Sequence, residues 1–194
     1  MAVAASWVRE ADAALPVLGL VAVILGLAGV YASARLYLVP ARPVWNSRRT
    51  PVAFFATAAS TGPLVALLCL DRSRLGPASV AVLLAVAVTG TFVQVAVLAH
   101  LARVVRRRTD RQHQGTAFLL LGHFRMLFAG RLAAAGAAVF LLASALAVPV
   151  AGAAAGGRVA TALVVIALGE VLGRYLFYVT VVPYRVAGSF FGAR

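Results

Sequence analysis

The sequence has little charge for its length. Only 12% of its 194 residues are Asp, Glu, Lys or Arg, whereas a soluble domain carries about 25%. Hydrophobic residues make up 63% of the chain, and the mean hydropathy is +0.97. Half of the usual solvating surface is missing, which excludes an ordinary soluble fold and predicts a single membrane domain over residues 1–194.

Lysine is absent and acidic residues are scarce. All eighteen basic residues are Arg, and five acidic residues leave a net charge of +13. The Arg residues lie in short clusters between apolar runs, without the continuous basic stripe of a nucleic-acid surface, so no nucleic-acid partner is expected. With so few carboxylates, no nucleophile–base pair and no phosphate-binding glycine loop, the sequence predicts neither a metal site nor a catalytic residue of its own.

Cysteine and histidine are also rare. Cys69 is the single cysteine, which excludes an intrachain disulfide and a thiolate-bound zinc or iron–sulfur centre. His100 ends an apolar run, and His113 and His123 lie in an Arg-rich link. A membrane b-type haem needs ligands that face each other inside the bundle, so we expect no haem.

Five apolar runs dominate what is present. A spanning helix needs about 20 residues, and the first run exceeds the about 7–15 residues of a signal-peptide core, so we expect it to be retained. The fifth run is long enough only if Glu170 and Arg174 lie within the membrane. The sequence predicts an all-α integral membrane protein, a bundle of about five transmembrane helices. The expected spans are approximately 13–34, 52–70, 78–102, 132–155 and 159–182.

The Arg distribution predicts an orientation. Thirteen Arg fall in the first and third links and after the fifth run, against four before the first run and in the other two links. Because cytoplasmic segments carry the excess of positive charge, we expect a multi-pass protein of the cell (inner) membrane with its N-terminus outside and its C-terminus in the cytoplasm.

The third link, residues 103–131, is not expected to be all loop. Ala117, Leu121, Phe124 and Phe128 follow helical spacing. Two interpretations remain open, a short helix lying in the membrane interface and an extension of the fourth helix. In the third span, Gln94 belongs to a small polar patch that we expect to hydrogen-bond a neighbouring helix.

Glu170 and Arg174 are the charged residues of the fifth run. They are four residues apart and share a helix face, and each charge at this depth costs at least about 2.5–3.5 kcal/mol, so we expect them to pair. Tyr178 extends the same stripe, and Gly169 and Gly173 form a GxxxG pattern that allows close helix approach. Two hypotheses remain open, a proton or quinol-headgroup site and a structural ion pair.

Two motifs carry a resemblance to a known family. The first follows helix one and continues into helix two, and comprises Tyr37, Pro40, Arg42, Pro43, Trp45, Asn46, Thr50, Pro51, Phe54, Phe55, Gly62, Pro63 and Leu64. The second lies in the last run and comprises Gly169, Glu170, Gly173, Arg174, Phe177 and Tyr178. In their order and spacing, these residues resemble the membrane anchor subunit family of dimethyl sulfoxide reductase.

The resemblance implies a complex of three subunits. A molybdopterin subunit reduces the substrate, an iron–sulfur subunit relays electrons, and the anchor holds both at the membrane and binds menaquinol. Molybdopterin and iron–sulfur clusters would lie only in the partner subunits. The candidate residues are Glu170, Arg174 and Tyr178 for the quinol, and Arg42, Pro43, Trp45 and Asn46 for the partners.

The resemblance covers the last five of the family's eight helices. The histidine tied to menaquinol in the family lies in an earlier helix and has no counterpart here. We interpret the chain as a natural short form, half of a split anchor whose further helices come from a separate chain, or a truncated product. The family topology would place the C-terminus outside, and the Arg count is preferred because its bias is large.

Two other classes of function compete with the anchor. One is a small membrane transporter or channel that uses the Glu170–Arg174 pair as a gate or proton site, and the other is a membrane assembly factor without a ligand. A transporter has no evident use for the proline-spaced segment around Trp45, which favours the anchor.

Overall fold

A computed structural model describes residues 2–70, 75–146 and 153–183, and the side chains of these residues except 2–14, 153 and 154. All regular structure in this part of the chain is helical. The elements are α1 (Ala2–Arg35), α2 (Arg49–Cys69), α3 (Pro77–Arg107), α4 (Arg111–Ala117), a π-helical turn (Phe118–His123), α5 (Arg125–Leu146) and α6 (Ala153–Val179).

Five of these helices are long and apolar enough to cross a membrane. They are α1 over Leu15–Arg35, α2, α3, α5, and α6 over Ala155–Val179. Many large apolar side chains on them face outward, as lipid contact requires. The predicted fold class is therefore confirmed, and the chain is a multi-pass membrane protein.

The helix ends differ from the expected spans mainly beside Arg clusters. Helix α3 continues to Arg107, and α5 already begins at Arg125. A hydropathy count stops at the first Arg, but a helix does not, because long Arg side chains reach the polar interface while the backbone remains helical. The expected fourth span ends at residue 155, whereas α6 already begins at Ala153, and residues 147–152 between α5 and α6 lie outside the described residues. Also outside the described residues are Asp71 and four Arg residues that were part of the orientation count, namely Arg72, Arg74, Arg185 and Arg194.

The third link contains a short helix, α4, and an extension of the fourth spanning helix. A position of α4 in the membrane interface stays a prediction. Asp110 caps the short helix α4, because its carboxylate accepts a hydrogen bond from the backbone N–H of His113 at 3.4 Å. Helix α4 runs into the π-helical turn, which ends at His123 and is followed by Phe124. Helix α5 then begins at Arg125, so the fourth spanning helix is also extended towards the link.

Helices α2, α3, α5 and α6 form the bundle. Helix α5 packs along α6, α2 packs along α3, and α2 also contacts α6, whereas α1 packs on α2 at the periphery. One half of the bundle, which we call the apolar half, is filled by buried aliphatic side chains. They include Leu64, Leu67, Leu84, Leu142, Ala162 and Ile166. The other half contains the polar residues described next.

Candidate functional site

A cavity of about 110 Å³ lies between α2, α3, α5 and α6. Most of its wall is apolar, and the polar residues gather at two ends. The inner end contains Thr57, Gln94, Arg131 and Glu170, and the outer end contains Trp45, Arg49, Thr50 and Thr180. On α2, Arg49 and Thr57 are separated by about 12 Å at 1.5 Å per residue. The cavity therefore connects the middle of the bundle with the end at which α2 begins.

The inner end is an ion pair within a hydrogen-bond network. Arg131 Nη2 donates to Glu170 Oε1 at 2.8 Å and to Gln94 Oε1 at 3.1 Å. The Thr57 hydroxyl donates to Glu170 Oε2 at 2.8 Å, and Gln94 Nε2 donates to Ser60 Oγ at 3.1 Å. Four helices thereby each supply a polar group, and Gln94 bonds neighbouring helices as predicted.

The two glycines of the GxxxG pattern make room for Arg131. Arg131 Nη1 donates to the backbone carbonyl of Gly169, and a Cβ on Gly173 would collide with the guanidinium group. Arg131 is only 8% exposed, so its charge needs partners within the protein. The pattern therefore serves to lay an Arg side chain of α5 across α6 beside Glu170.

The expected ion pair between Glu170 and Arg174 is wrong. The carboxylate pairs with Arg131, and the Arg174 guanidinium instead lies 3.9 Å from the ring centre of Phe54. Both side chains line the cavity, but Arg174 is one helical turn closer to the outer end. A cation over an aromatic ring is stabilised by the ring quadrupole, which gives Arg174 a favourable environment without a carboxylate.

Tyr178 does not line the cavity, unlike the other two residues of the stripe. It is 48% exposed, and its hydroxyl lies 2.5 Å from the hydroxyl of Tyr37. This contact links the end of α6 to the segment that follows α1. The structure thus brings Glu170 and Arg174 to one cavity and leaves Tyr178 beside it.

The segment around Trp45 forms part of the wall at the outer end of the cavity. Trp45 is 6% exposed and stacks on Phe177 with ring centres 4.8 Å apart. Its indole N–H donates to the Phe177 carbonyl at 3.0 Å, one of the last carbonyls of α6, which lack a partner within the helix. Arg42 lies over the outer face of this arrangement, 4.2 Å from the Trp45 ring centre.

The four residues predicted to bind partner subunits differ in exposure. Asn46 is exposed, Arg42 and Pro43 are half-buried, and Trp45 is buried. Trp45 therefore forms part of the cavity wall, and Asn46 lies at the surface of the protein. A role of these residues in partner binding stays a prediction.

Sequence reasoning missed Arg131 and Thr57. Arg131 was counted with the third link, although it follows Phe124 and Phe128 at the start of an apolar run. The available signal was that the charge of Glu170 needs a counter-charge, together with an Arg inside α5, the spanning helix that precedes α6. Within the described residues, no group of three His, Cys, Asp or Glu side chains is placed to hold a metal ion.

The chain was compared with known proteins. The family model described as DMSO reductase anchor subunit (DmsC) matches residues 8–179, which is most of the chain. No curated protein and no solved structure gave a match. The matched range includes the Trp45 segment and the whole inner end of the cavity.

Proposed function

Because this chain belongs to the family of DMSO reductase anchor subunits, we propose that it anchors a molybdopterin oxidoreductase and receives menaquinol in its cavity. Its partners would be an iron–sulfur subunit and a molybdopterin catalytic subunit at the cell (inner) membrane, with the C-terminus in the cytoplasm. The single observation that carries the quinol proposal is a carboxylate, Glu170, held in the wall of an intramembrane cavity.

The donors and acceptors of the inner end suit a quinol headgroup. Arg131 Nε is buried without a hydrogen-bond partner, and Arg131 lines the cavity. A buried N–H without an acceptor is costly, and an oxygen of the headgroup would satisfy it. The apolar and aromatic remainder of the wall, including Phe54 and Phe177, suits a fused aromatic ring.

Proton transfer is the chemistry assigned to Glu170. Menaquinol, when bound, supplies two electrons and two protons. Glu170 provides a carboxylate that can accept a proton from a hydroxyl in the cavity, and Arg131 and Thr57 fix its two oxygens. Gln94 accepts a second hydrogen bond from the same Arg131 nitrogen, Nη2. Glu170 is the carboxylate among the residues that line the cavity, which makes it the proposed proton acceptor at the inner end.

The transporter alternative was based on a pair that is not formed. Glu170 bonds Arg131, while Arg174 lies on Phe54. A gate made by these two residues of α6 has no support in this geometry, and family membership favours the anchor.

The test is Glu170→Gln in the complex assembled with its partner subunits in native membranes. The Gln carbonyl can accept the hydrogen bond from Arg131, and its NH2 group can donate to the Thr57 hydroxyl, whose proton then goes to the Ala53 carbonyl. Because Arg131 loses its counter-charge, activity is compared per amount of assembled complex. Quinol-dependent reductase activity should fall about 10²-fold or more, the usual contribution of a positioned acid or base. Activity with an artificial donor that reduces the partner subunits directly should be unchanged.

Tyr175→Phe is the matched control. Tyr175 lies on α6, is 47% exposed and does not line the cavity, so both activities should stay normal. Full quinol-dependent activity in an assembled Glu170→Gln complex would exclude Glu170 as the proton acceptor.

A further inference from the structure

Arg49 is the first residue of α2 and lies at the outer end of the cavity. Its Nε donates to Ser47 Oγ at 3.2 Å. Its Nη1 is buried and has no hydrogen-bond partner. A buried guanidinium nitrogen without an acceptor is costly, and such groups usually mark the place of a water or an ion.

The charges around Arg49 increase its need for an acceptor of negative charge. Arg108, the residue that follows α3, is exposed and acts on Arg49 as a like charge. Among the side chains that the structure describes, the two carboxylates already have partners, since Asp110 pairs with His113 and Glu170 pairs with Arg131. No described carboxylate therefore pairs with Arg49, and an anion from outside the chain would supply the acceptor that its buried Nη1 lacks.

The position of the two residues identifies the anion. Arg49 begins one spanning helix and Arg108 directly follows another, so both lie where the chain leaves the hydrocarbon region. The anion present there at high density is lipid phosphate, and Arg presents a fork of donors that matches phosphate oxygens. Basic pockets between helices at this level bind anionic lipid headgroups.

The geometry points to a binding site for the phosphate of an anionic phospholipid, held by Arg49 at the outer end of the cavity and supported by Arg108. A zwitterionic headgroup carries an ammonium group that two Arg residues and the neighbouring Arg48 repel. An anionic headgroup such as phosphatidylglycerol lacks this repulsion. The site is separate from the inner end, and the inference does not depend on quinol binding.

The experiment measures lipid binding to the purified full-length chain in detergent. Native mass spectrometry and melting temperature are recorded with phosphatidylglycerol and with phosphatidylcholine of identical acyl chains. We expect the wild type to retain one phosphatidylglycerol with at least about tenfold preference and to melt at a higher temperature with it. Equal retention of the two lipids would overturn the inference.

Variants locate the site. Arg49→Gln should weaken phosphatidylglycerol binding at least about tenfold, because it removes a buried charged donor. Arg125→Gln is the matched control, an exposed Arg at the start of α5 outside the cavity wall, and should change binding less than about threefold. Equal losses in both variants would mean diffuse surface charge and would overturn the site.

A second variant and a second anion complete the experiment. If Arg49→Gln does not fold, Arg108→Gln at the exposed end of α3 decides, since loss of the lipid preference supports the site and full preference overturns it. Inorganic phosphate is the last probe. Stabilisation by phosphate equal to that by phosphatidylglycerol would show a free-anion site and exclude the lipid assignment.

Discussion

The same four helices build two different halves of the bundle. In the apolar half, aliphatic residues such as Leu64, Leu84 and Leu142 are buried and pack against one another. In the other half, Arg131 and Glu170 are held by directed bonds around a cavity. Lipid is as apolar as Leu, so helix association in a membrane depends on close packing and on interhelical hydrogen bonds. The apolar half associates by close packing, and the polar half associates by interhelical hydrogen bonds.

This difference explains where a cavity is tolerated. A void among aliphatic side chains loses packing contacts without compensation, whereas the polar half is held in register by an ion pair whose partners come from α5 and α6. The apolar half therefore stabilises the bundle, and the polar half can enclose a ligand.

The largest expected effect comes from breaking the ion pair. Arg131→Leu leaves Glu170 buried without a counter-charge, which typically costs about 3–5 kcal/mol. The yield of monodisperse protein after detergent extraction and its melting temperature should both fall. The double variant Arg131→Leu/Glu170→Leu should recover most of the folded yield, because replacing both members of a pair by apolar residues is often nearly neutral.

The double variant also separates stability from function. If the polar half were only structural, the double variant would recover quinol-dependent activity together with the folded yield. We expect recovery of yield alone. A double variant that folds no better than Arg131→Leu would contradict the ion pair as the main interaction of this half.

The contrast also shows what the sequence could predict. The five spans followed from run length and charge, because the membrane imposes both on any helix that crosses it. The site was predicted in part. Glu170 was identified because a charged side chain in the membrane is energetically unfavourable. Its partner was sought on the same helix, because a sequence shows the spacing of residues within one helix but not the contacts between helices.

Arg131 escaped because its role depends on how α5 and α6 are aligned. A contact between residues 39 positions apart is set by tertiary packing, and no local pattern reports it. The glycines Gly169 and Gly173 did predict a close approach, but they could not show that a guanidinium group fills the space. Hydropathy counting then assigned Arg131 to a loop because it is charged.

An intermediate effect is expected where α2 and α3 approach closely between the two halves. A Cβ on Gly90 would lie 2.6 Å from the backbone N of Ser60 and 2.8 Å from the carbonyl carbon of Ala59. Backbone atoms cannot turn away as a flexible side chain can, so Gly90→Ala should separate the helices and cost about 1–3 kcal/mol. The melting temperature should fall, and the Gln94–Ser60 hydrogen bond should weaken.

Gly62→Ala is the matched control for this contact. Gly62 lies on α2, and a Cβ there meets nothing within 4 Å. Because Ala is a better helix former than Gly by up to about 1 kcal/mol, this variant should be unchanged or slightly more stable. Equal losses in Gly90→Ala and Gly62→Ala would mean that the close approach is not what limits packing here.

The smallest effect concerns an ion pair outside both halves. His113 Nδ1 lies 2.5 Å from Asp110 Oδ2, and this hydrogen bond holds the pKa of the Asp110 carboxyl below its ordinary value of 3.8. A lowered pKa in the folded state contributes stability above the unfolded value, and that stability is lost as the pH falls through the folded value.

Melting temperatures should be measured from about pH 6 to about pH 3 for the wild type and Asp110→Asn, since Asn keeps the cap of α4 but removes the charge. The wild type should lose slightly more stability in this range and approach the variant at the acidic end. Because the Asp110 carboxyl is solvent-exposed, screening keeps the difference far below that of Arg131→Leu. A large difference in melting temperature would show that exposed pairs, rather than the polar half of the bundle, determine stability. Parallel melting curves for the two proteins would show that the charge of the carboxylate contributes nothing beyond the cap.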